Sequence, residues 1–315
     1  MFKYLLKRLI FFAISLFIIM TVMFILTRVS MLRIWALPHP IIDDFRIAWS
    51  EYLVYIENIF TRWDWGYTRS GIPIWAYVFD KMMITLKYNL VALVIYFTGG
   101  VVLGVLAAYH KNKFIDYFIS LFSMLFNSIP GFVFIFFLIL VFGYGLNWFP
   151  PQEPFANASL LRTIKGYFIP VVALSVGPMG KIAQTIRGEM IESMQTPQYL
   201  LLRAKGLTKK QAFLRHGLKD SLVVMVPELI PLFVFVINMS FVIEYTYNIN
   251  GIALLFFRSL ISFGGENNAI MVNTAIAVPV GVLLIGIIMV FSLISDMTLA
   301  LIDPRISIKS KKTEM

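Results

Sequence analysis

The chain has 315 residues, of which 59% are hydrophobic and only 14% charged, whereas about 25% of the residues in an ordinary soluble domain are charged. A soluble fold of this length would have too few polar side chains to face water, and the absence of cysteine excludes a disulfide framework and cysteine-ligated metals. The composition predicts an all-α, polytopic membrane protein. The net charge of +10 is typical of the basic cytoplasmic loops of that class and requires no nucleic-acid partner.

A membrane-spanning helix needs about 20 mainly apolar residues, so uncharged runs bounded by charged residues mark the candidate spans. In chain order these runs are Leu9 to Thr27, Tyr88 to Tyr109, Tyr117 to Gln152, Gly166 to about Ile186, Ser221 to Ile243 and Asn267 to Ser295. The third run has room for one helix and a re-emerging loop, because glycine and proline are frequent between Gly143 and Pro151. The sequence therefore predicts six transmembrane helices.

The first apolar run could also belong to a cleavable signal peptide, because Lys3, Lys7 and Arg8 give it a basic start. Its apolar core is longer than the usual length of about 7–15 residues, and no small-x-small cleavage site precedes the charged segment that follows. We therefore expect an uncleaved N-terminal helix within residues 1–30.

The distribution of basic residues predicts the orientation of the chain. With the N-terminus inside, the cytoplasmic segments are 1–8, 109–116, 187–220 and 303–315, and they contain 16 Lys or Arg residues in 63 positions. The outer segments 31–81, 147–166 and 245–272 contain 8 in 99 positions. Because cytoplasmic loops carry the excess of basic residues, both termini are expected to be cytoplasmic.

The outer segment 31–81 is rich in tryptophan. It contains Trp35, Trp49, Trp63, Trp65 and Trp75. Tryptophan is favoured at the membrane–water interface, since its ring is apolar and its N–H is polar. Two interpretations stay open: the segment anchors the chain at the interface, or it packs over the outer mouth of the bundle and helps to dock a partner protein.

The cytoplasmic loop 187–220 carries the strongest local signals. Thr196 is a suitable N-cap, and Pro197 after it is well suited to the first helical position. Gly206 lies where a helix can end in a left-handed turn. These signals predict a helix of about nine residues followed by a glycine break.

A second helix is predicted to follow at once and to run back to the membrane, since Thr208 and Gln211 have the spacing of a capping box. The first helix is too short to be stable alone, and it is mainly apolar although it contains Arg203 and is followed by Lys205. It must therefore pack on something. The surface that it contacts is either the end of its own bundle or a groove on a cytoplasmic partner.

The run Arg203-Ala204-Lys205-Gly206-Leu207, followed by Leu214-Arg215-His216, resembles the coupling segment of the permease subunits of ABC importers, in the B-type subunit of the oligopeptide, dipeptide and nickel branch. The resemblance extends over most of the chain. Its other parts are Tyr4 to Leu9, Trp65-Gly66-Tyr67, Pro73-Ile74, Thr85-Leu86, Gly104 to Ala108, Ser128 to Phe132, Trp148-Phe149-Pro150 and Asp303-Pro304-Arg305. The chain departs from the family pattern at Leu200-Leu201-Leu202, where Glu-Ala-Ala is general, and at Asn250-Gly251, where Pro-Gly is usual.

The resemblance implies a type I ABC importer permease fold, with the permease domain over residues 82–302 and a cytoplasmic tail over 303–315. It implies that the 196–217 loop contacts an ATPase subunit. The residues expected to make this contact are Tyr199, Leu202, Arg203, Ala204, Lys205, Gly206, Leu207, Arg215 and His216.

The implied partners are a second homologous permease subunit, two ATP-binding subunits that hold ATP and magnesium, and an extracytoplasmic substrate-binding protein, all in or at the cell membrane of a prokaryote. This chain would hold no cofactor itself. Oligopeptides or dipeptides are the expected cargo, and nickel or another small solute is the alternative. In that setting the outer segment 31–81 would dock the binding protein.

The sequence also argues against enzymatic chemistry in this chain. It contains no Gly-x-x-x-x-Gly-Lys-Ser/Thr phosphate loop, so we expect it not to hydrolyse ATP. His39, His110 and His216 fall in three different loops, which disfavours an intramembrane metalloprotease. A stand-alone secondary transporter is the alternative of a different class, and the absence of an obvious inverted repeat disfavours it.

Two ionisable residues lie inside predicted spans. Lys181 is six residues before Arg187 and Glu228 is eight residues after Asp220, which places them about 9 and 12 Å from the inner ends of their helices. A charge in hydrocarbon usually faces water or a partner. Either Lys181 extends to the inner headgroups, or both side chains face the inner half of the translocation pathway and pair in at least one state.

Overall fold

The computed structural model describes residues 2–35, 40–68, 70–152, 159–264 and 269–302, which are almost entirely helical. The α-helices are α1 (Phe2–Trp35), α2 (Ile41–Arg62), α3 (Ile74–Tyr109), α4 (Phe114–Ser128), α5 (Gly131–Leu138), α6 (Leu160–Ser193), α7 (Pro197–Ala204), α8 (Lys209–Ala212), α9 (Leu218–Tyr247), α10 (Ile252–Leu260) and α11 (Thr274–Ile302). A π-helical segment, π1 (Ile139–Gly145), follows α5, and a second, π2 (Phe213–Gly217), joins α8 to α9. Two short strands, β1 (Ser262–Gly264) and β2 (Ala269–Met271), pair antiparallel. His39 and the predicted tail 303–315, with Asp303-Pro304-Arg305, lie outside the described residues.

Five of the six predicted spans are found as unbroken helices, and the third predicted run gives a sixth only if a sharply bent helix pair is counted as one span. Five helical stretches are long and apolar enough to cross a membrane: Leu6–Arg33, Ile74–Tyr109, Leu160–Ser193, Lys209–Tyr247 and Thr274–Thr298. The sixth candidate is the pair Phe114–Ser128 and Gly131–Gly145, which is bent by 101°. The bend lies at Pro130, because a proline forces the residue before it, Ile129, into an extended conformation (ψ 122°). The third predicted run, which had room for one helix and a re-emerging loop, is therefore a pair of helices broken at Pro130.

The chain divides into two compact units. The first contains α1, α2, α3 as far as Leu86, α10, the hairpin, and α11 as far as Val290. The second contains α3 from Lys87 onwards, the elements from α4 to α9, and the end of α11. The domain boundaries predicted above were drawn from membrane topology, and they stay predictions.

In the second unit, α6 is packed against α3 at very short range. A Cβ atom placed on Gly100 would lie 2.6 Å from the Cβ of Ile182, and one on Gly104 would lie 2.8 Å from the carbonyl oxygen of Ala183. Small residues four positions apart let two helix backbones approach closely, and this is a usual way to pack helices where the surrounding solvent is itself apolar. The glycines of α3 therefore fix how near α6 can come.

Buried polar residues join α3 to α9 within the same unit. The hydroxyl of Tyr88 donates a hydrogen bond to Glu244 (2.7 Å), and the side-chain amide of Asn89 donates one to Ser240 (2.9 Å). Glu244, Asn89 and Ser240 have no exposed surface. A polar group away from water must be paired inside the protein, so these two neighbouring links also set the register between the helices.

In the first unit, α1 and α2 form an antiparallel pair. Arg28 forms an ion pair with Glu51, with Nη2 2.6 Å from Oε1, and Arg33 forms one with Asp44 at 3.3 Å. Asp44 is almost completely buried. The acidic residues on this face of α2 are therefore neutralised by α1.

We predict that Gly100→Ala destabilises the protein, whereas Gly286→Ala does not. The added Cβ at position 100 would also lie 2.9 Å from the carbonyl oxygen of Met179, while the space at position 286 is open. Overpacking of this kind costs about 1–3 kcal/mol. Both glycines are inside helices, so the two variants gain the same helix propensity. Thermal unfolding in detergent measures the difference, and equal midpoints for the two variants would contradict the close packing of α3 on α6.

Candidate functional site

The short helix α7 begins as the sequence predicts. The side-chain oxygen of Thr196 accepts a hydrogen bond from the backbone N–H of Tyr199 (3.3 Å), and Pro197 occupies the first turn. This satisfies one of the N–H groups that a helix start leaves without an intrahelical partner. The expected helix of about nine residues is observed as eight, Pro197–Ala204.

The helix ends in a glycine turn, also as predicted. Gly206 has φ +90°, and its N–H donates to the carbonyl of Arg203 (3.1 Å), while the N–H of Leu207 donates to the carbonyl of Leu202 (3.3 Å). These two bonds are those of a Schellman motif. The guanidinium of Arg203 donates a further hydrogen bond to the carbonyl of Leu207 (2.6 Å). Arg203, which is predicted to contact an ATPase subunit, therefore also stabilises the turn.

The predicted capping box starts the next helix at once. The N–H of Gln211 donates to the hydroxyl of Thr208 (3.3 Å), and the N–H of Thr208 donates to the side chain of Gln211 (3.0 Å). After one turn of α8 the backbone becomes π-helical over π2, which includes Arg215 and His216, and then continues into α9. The returning helix is confirmed. The π-helical turn was not predicted, since it leaves no signature in the residue pattern.

The residues of α7 are exposed or half-buried along its whole length. None of its residues is buried, and Leu200 and Leu201 are 63% and 57% exposed. Where the loop turns back to the membrane the opposite holds, because Ala212 and Phe213 have no exposed surface. A short helix that leaves two leucines this exposed is suited to packing on another protein.

Three contacts hold the base of the loop. The ring of Phe213 meets that of Tyr109 edge-on at 5.5 Å, where α3 ends. The hydroxyl of Ser193 donates to Asp220 (3.3 Å), which connects the end of α6 to the start of α9. The loop therefore has a packed base, and α7 projects from it.

The third contact is an ion pair between the end of α6 and the start of α4. Arg187 donates two hydrogen bonds to Asp116, at 2.5 and 2.9 Å, and Asp116 is 1% exposed. The N–H of Asn112, which has φ +61°, donates to the same carboxylate at 2.9 Å. Sequence reasoning used Arg187 only to mark a helix end and did not identify Asp116. The only sequence signal for Asp116 was that it is an acidic residue in the first turn of a predicted helix. The residue pattern does not indicate that it pairs with Arg187, which is 71 positions away.

The remaining predicted site residues occupy two places. Tyr199, Leu202, Arg203, Ala204, Lys205, Gly206 and Leu207 are contiguous on α7 and its glycine turn, while Arg215 and His216 lie on π2. Arg215 is exposed and His216 is half-buried. That these residues contact an ATPase subunit stays a prediction.

Lys181 and Glu228 are both exposed, and within the described residues neither forms an ion pair. Glu228 lies between Pro227 and Pro231, and α9 continues through both prolines. The structure thus places the two charged side chains at the surface of this chain without joining them. Their pairing in another state stays a prediction.

Comparison with known proteins identifies the class to which this fold and loop belong. The family described as "Binding-protein-dependent transport system inner membrane component" matches residues 100–308, which is well over half of the chain. The chain belongs to this family. It is a multi-pass permease component of the cell membrane, as the resemblance implied.

Individual relatives match nearly end to end. The chain is 29% identical to the dipeptide transport system permease protein DppB of Lactococcus lactis subsp. cremoris, over 97% of this chain and 99% of that protein. It is 29% identical to the oligopeptide transport system permease protein OppB of Haemophilus influenzae, with the same coverage. Among solved structures, inward-facing MetNI methionine ABC transporter shares the fold, with a TM-score of 0.54 and 18% identity over 72% of this chain and 96% of that chain.

We predict that Gly206→Val lowers transport while the protein still inserts into the membrane. A Cβ at position 206 would meet no atom within 4 Å, so the effect comes from the backbone, which has φ +90°. The left-handed turn is penalised by about 1 kcal/mol or more in a β-branched residue, which lowers its population about fivefold. The control is Gly188→Val, which also has open space but an ordinary helical backbone. ATP-driven uptake in proteoliposomes is the measurement, and normal uptake by Gly206→Val would contradict a role for this turn.

We also predict that Asp116 and Arg187 are energetically coupled. Asp116→Asn and Arg187→Gln should each lower the unfolding midpoint in detergent, since each leaves a charged or polar partner without its bonds. The double variant should then lose less than the sum of the two, with a coupling energy of about 0.5–3 kcal/mol. Lys111→Gln, on the same inner loop, is the control for loss of charge. Strictly additive effects would show that the pair does not join α4 to α6.

Proposed function

We propose that this chain is one of the two membrane-spanning permease subunits of an ATP-driven, binding-protein-dependent importer of oligopeptides or dipeptides. Membership of the permease family supports the first part. The peptide cargo is supported by the near full-length similarity to permeases named for dipeptide and oligopeptide transport. The chain forms half of the translocation pathway, and a second homologous permease forms the other half.

One observation carries the coupling role, namely the exposed, capped helix α7. Helices of eight residues are marginal in water, yet this one has its start and its end fixed by specific side-chain and backbone bonds. It also keeps Leu200 and Leu201 uncovered. An apolar helix presented in this way fits a groove on a partner, and Arg203 and Lys205 at its end supply charge for a polar rim.

The packed base of the loop connects α7 to the membrane helices. Arg187 and Asp116 join the end of α6 to the start of α4, and Phe213 contacts Tyr109 at the end of α3. Displacement of α7 by closure of the ATPase subunits is then passed to three helices at once. Rigid-body movement of this kind alternates access between the two sides of a membrane.

The chemistry of ATP hydrolysis belongs to the partner subunits, which hold ATP and magnesium. This chain supplies no phosphate loop and acts by binding and moving. The excess of Lys and Arg in the segments 1–8, 187–220 and 303–315 supports an orientation in which both termini and α7 face the cytoplasm. A substrate-binding protein then delivers cargo from the outer side.

The absence of cysteine from the chain allows a direct test. In a complex reconstituted with its ATPase subunits, Leu201→Cys should be joined to an ATPase subunit by a short cross-linker that reacts with the thiol at one end and with a lysine amine of the ATPase at the other. Leu160→Cys is the control, because Leu160 is 77% exposed and lies at the other end of α6. Labelled di- and oligopeptides should enter vesicles only when ATP and the binding protein are supplied.

Each alternative predicts a different outcome of the same assay. Uptake of nickel in preference to peptides would show that the chain serves an ATP-driven importer whose cargo is nickel. Uptake driven by an ion gradient without ATP would indicate a stand-alone secondary transporter. Cross-linking at Leu160 but not at Leu201 would place the ATPase contact elsewhere.

A further inference from the structure

Within its apolar run, from Ser221 to Ile243, helix α9 is exposed along one side. At 3.6 residues per turn the exposed residues fall within about 100° of the helix circumference. They are Val224, Pro227, Glu228, Pro231, Phe235 and Asn238, and we call this set the α9 open face. The opposite side is packed, since Val226, Phe233 and Ile237 are buried. The open face is therefore a continuous surface that the described residues of this unit leave uncovered.

Two polar side chains lie on the open face, one in each half of the apolar run. Asn238 is ten residues after Glu228, which separates the two positions by about 15 Å at the usual helical rise. Both are exposed, and neither side chain forms a hydrogen bond or an ion pair with a described residue. The face is thus polar in both halves of its depth.

The backbone adds hydrogen-bond acceptors to the same face. Pro227 and Pro231 lie inside α9, and a proline has no N–H, so the carbonyls of Val223 and Pro227 lack the donor that the residue four positions on would supply. A helical carbonyl lies beside the residue four positions on, so both oxygens are next to proline rings of the open face. The face therefore carries two backbone acceptors as well as its polar side chains.

Lipid is a poor contact for such a face. A carboxylate or an unpaired backbone carbonyl is costly in hydrocarbon, so these groups usually face the interior of a bundle or a water-filled cavity. A permanent contact with a second permease is also disfavoured, because the buried core of an interface between proteins is depleted of charged residues. A water-filled cavity fits both constraints, and in a permease that cavity is the translocation pathway.

We propose that the α9 open face lines the translocation pathway, and that Asn238 and Glu228 contact the peptide cargo. This inference rests on the proposed function. A peptide brings backbone N–H and carbonyl groups and an N-terminal ammonium. The carboxylate of Glu228 accepts hydrogen bonds from the N–H groups or the ammonium, and the carboxamide of Asn238 both donates and accepts. Phe235, which lies between them and is 45% exposed, offers an apolar contact to cargo side chains.

Thiol accessibility tests whether the face is in water, because the chain has no cysteine of its own. The complete importer is placed in lipid nanodiscs, where both sides of the membrane are open to a charged methanethiosulfonate reagent. Asn238→Cys should react several-fold faster than Val102→Cys. Val102 is the control, since it is 55% exposed and two residues from each of Gly100 and Gly104, which face α6. Phe235→Cys serves where Asn238→Cys is not recovered.

Protection by cargo tests the contact itself. Peptide-loaded binding protein with ATP should slow the modification of Asn238→Cys, whereas empty binding protein with ATP should not. In proteoliposomes, Asn238→Leu, which removes the amide at nearly constant size, should lower ATP-driven peptide uptake several-fold. Asn238→Gln should retain most of the uptake, because it keeps a carboxamide on the same face.

Two results would overturn the inference. Cysteines at positions 235 and 238 that react no faster than the one at position 102 would show that lipid or the second permease covers the face. Equal modification with loaded and empty binding protein would show a wetted surface that does not contact cargo. Uptake of labelled peptides by the unsubstituted chain is measured in parallel. Its failure counts against the proposed function, whereas normal uptake with an unreactive open face counts against this inference alone.

Discussion

Gly100 and Gly104 let the backbone of α3 come into direct contact with α6, and the second unit is assembled around that contact. On another side of α6, the Cβ of a residue at position 180 would lie 3.0 Å from the carbonyl oxygen of Ser123 in α4. Between helices in an apolar solvent, van der Waals contact and internal hydrogen bonds supply the attraction. Such packing tolerates little displacement, so the end of α6 that leads into the loop 187–220 is held at a fixed position.

The loop 187–220 is built on that fixed helix end. The end of α6 is fastened to α4 through Arg187 and Asp116, and the returning chain is buried at Phe213. By contrast, no residue of α7 is buried. This division into a packed base and an exposed tip is what a helix that receives force from a partner requires, because a flexible base would absorb the movement before it reached the membrane.

The helix α2 is held on α1 by ion pairs. Two of its acidic residues, Glu51 and Asp44, are neutralised by arginines of α1. Asp44 is almost completely buried by this pairing, so its charge needs the partner that α1 supplies.

The sequence alone determined the five unbroken spans, the caps of α7 and α8, the left-handed turn at Gly206 and the family. Each of these depends on residues close together in the chain or on an ordered set of short motifs. Thr196 finds its partner three residues away, and a glycine is required wherever φ is +90°. The tertiary structure alone decided that Arg187 meets Asp116, that π2 interrupts the returning helix, and that Lys181 and Glu228 stay apart here. The sequence marked Pro130 as part of a motif, but only the structure showed a 101° bend there. These features depend on which helix faces come together in space, and residue patterns specify that a face is apolar without specifying which other face it meets.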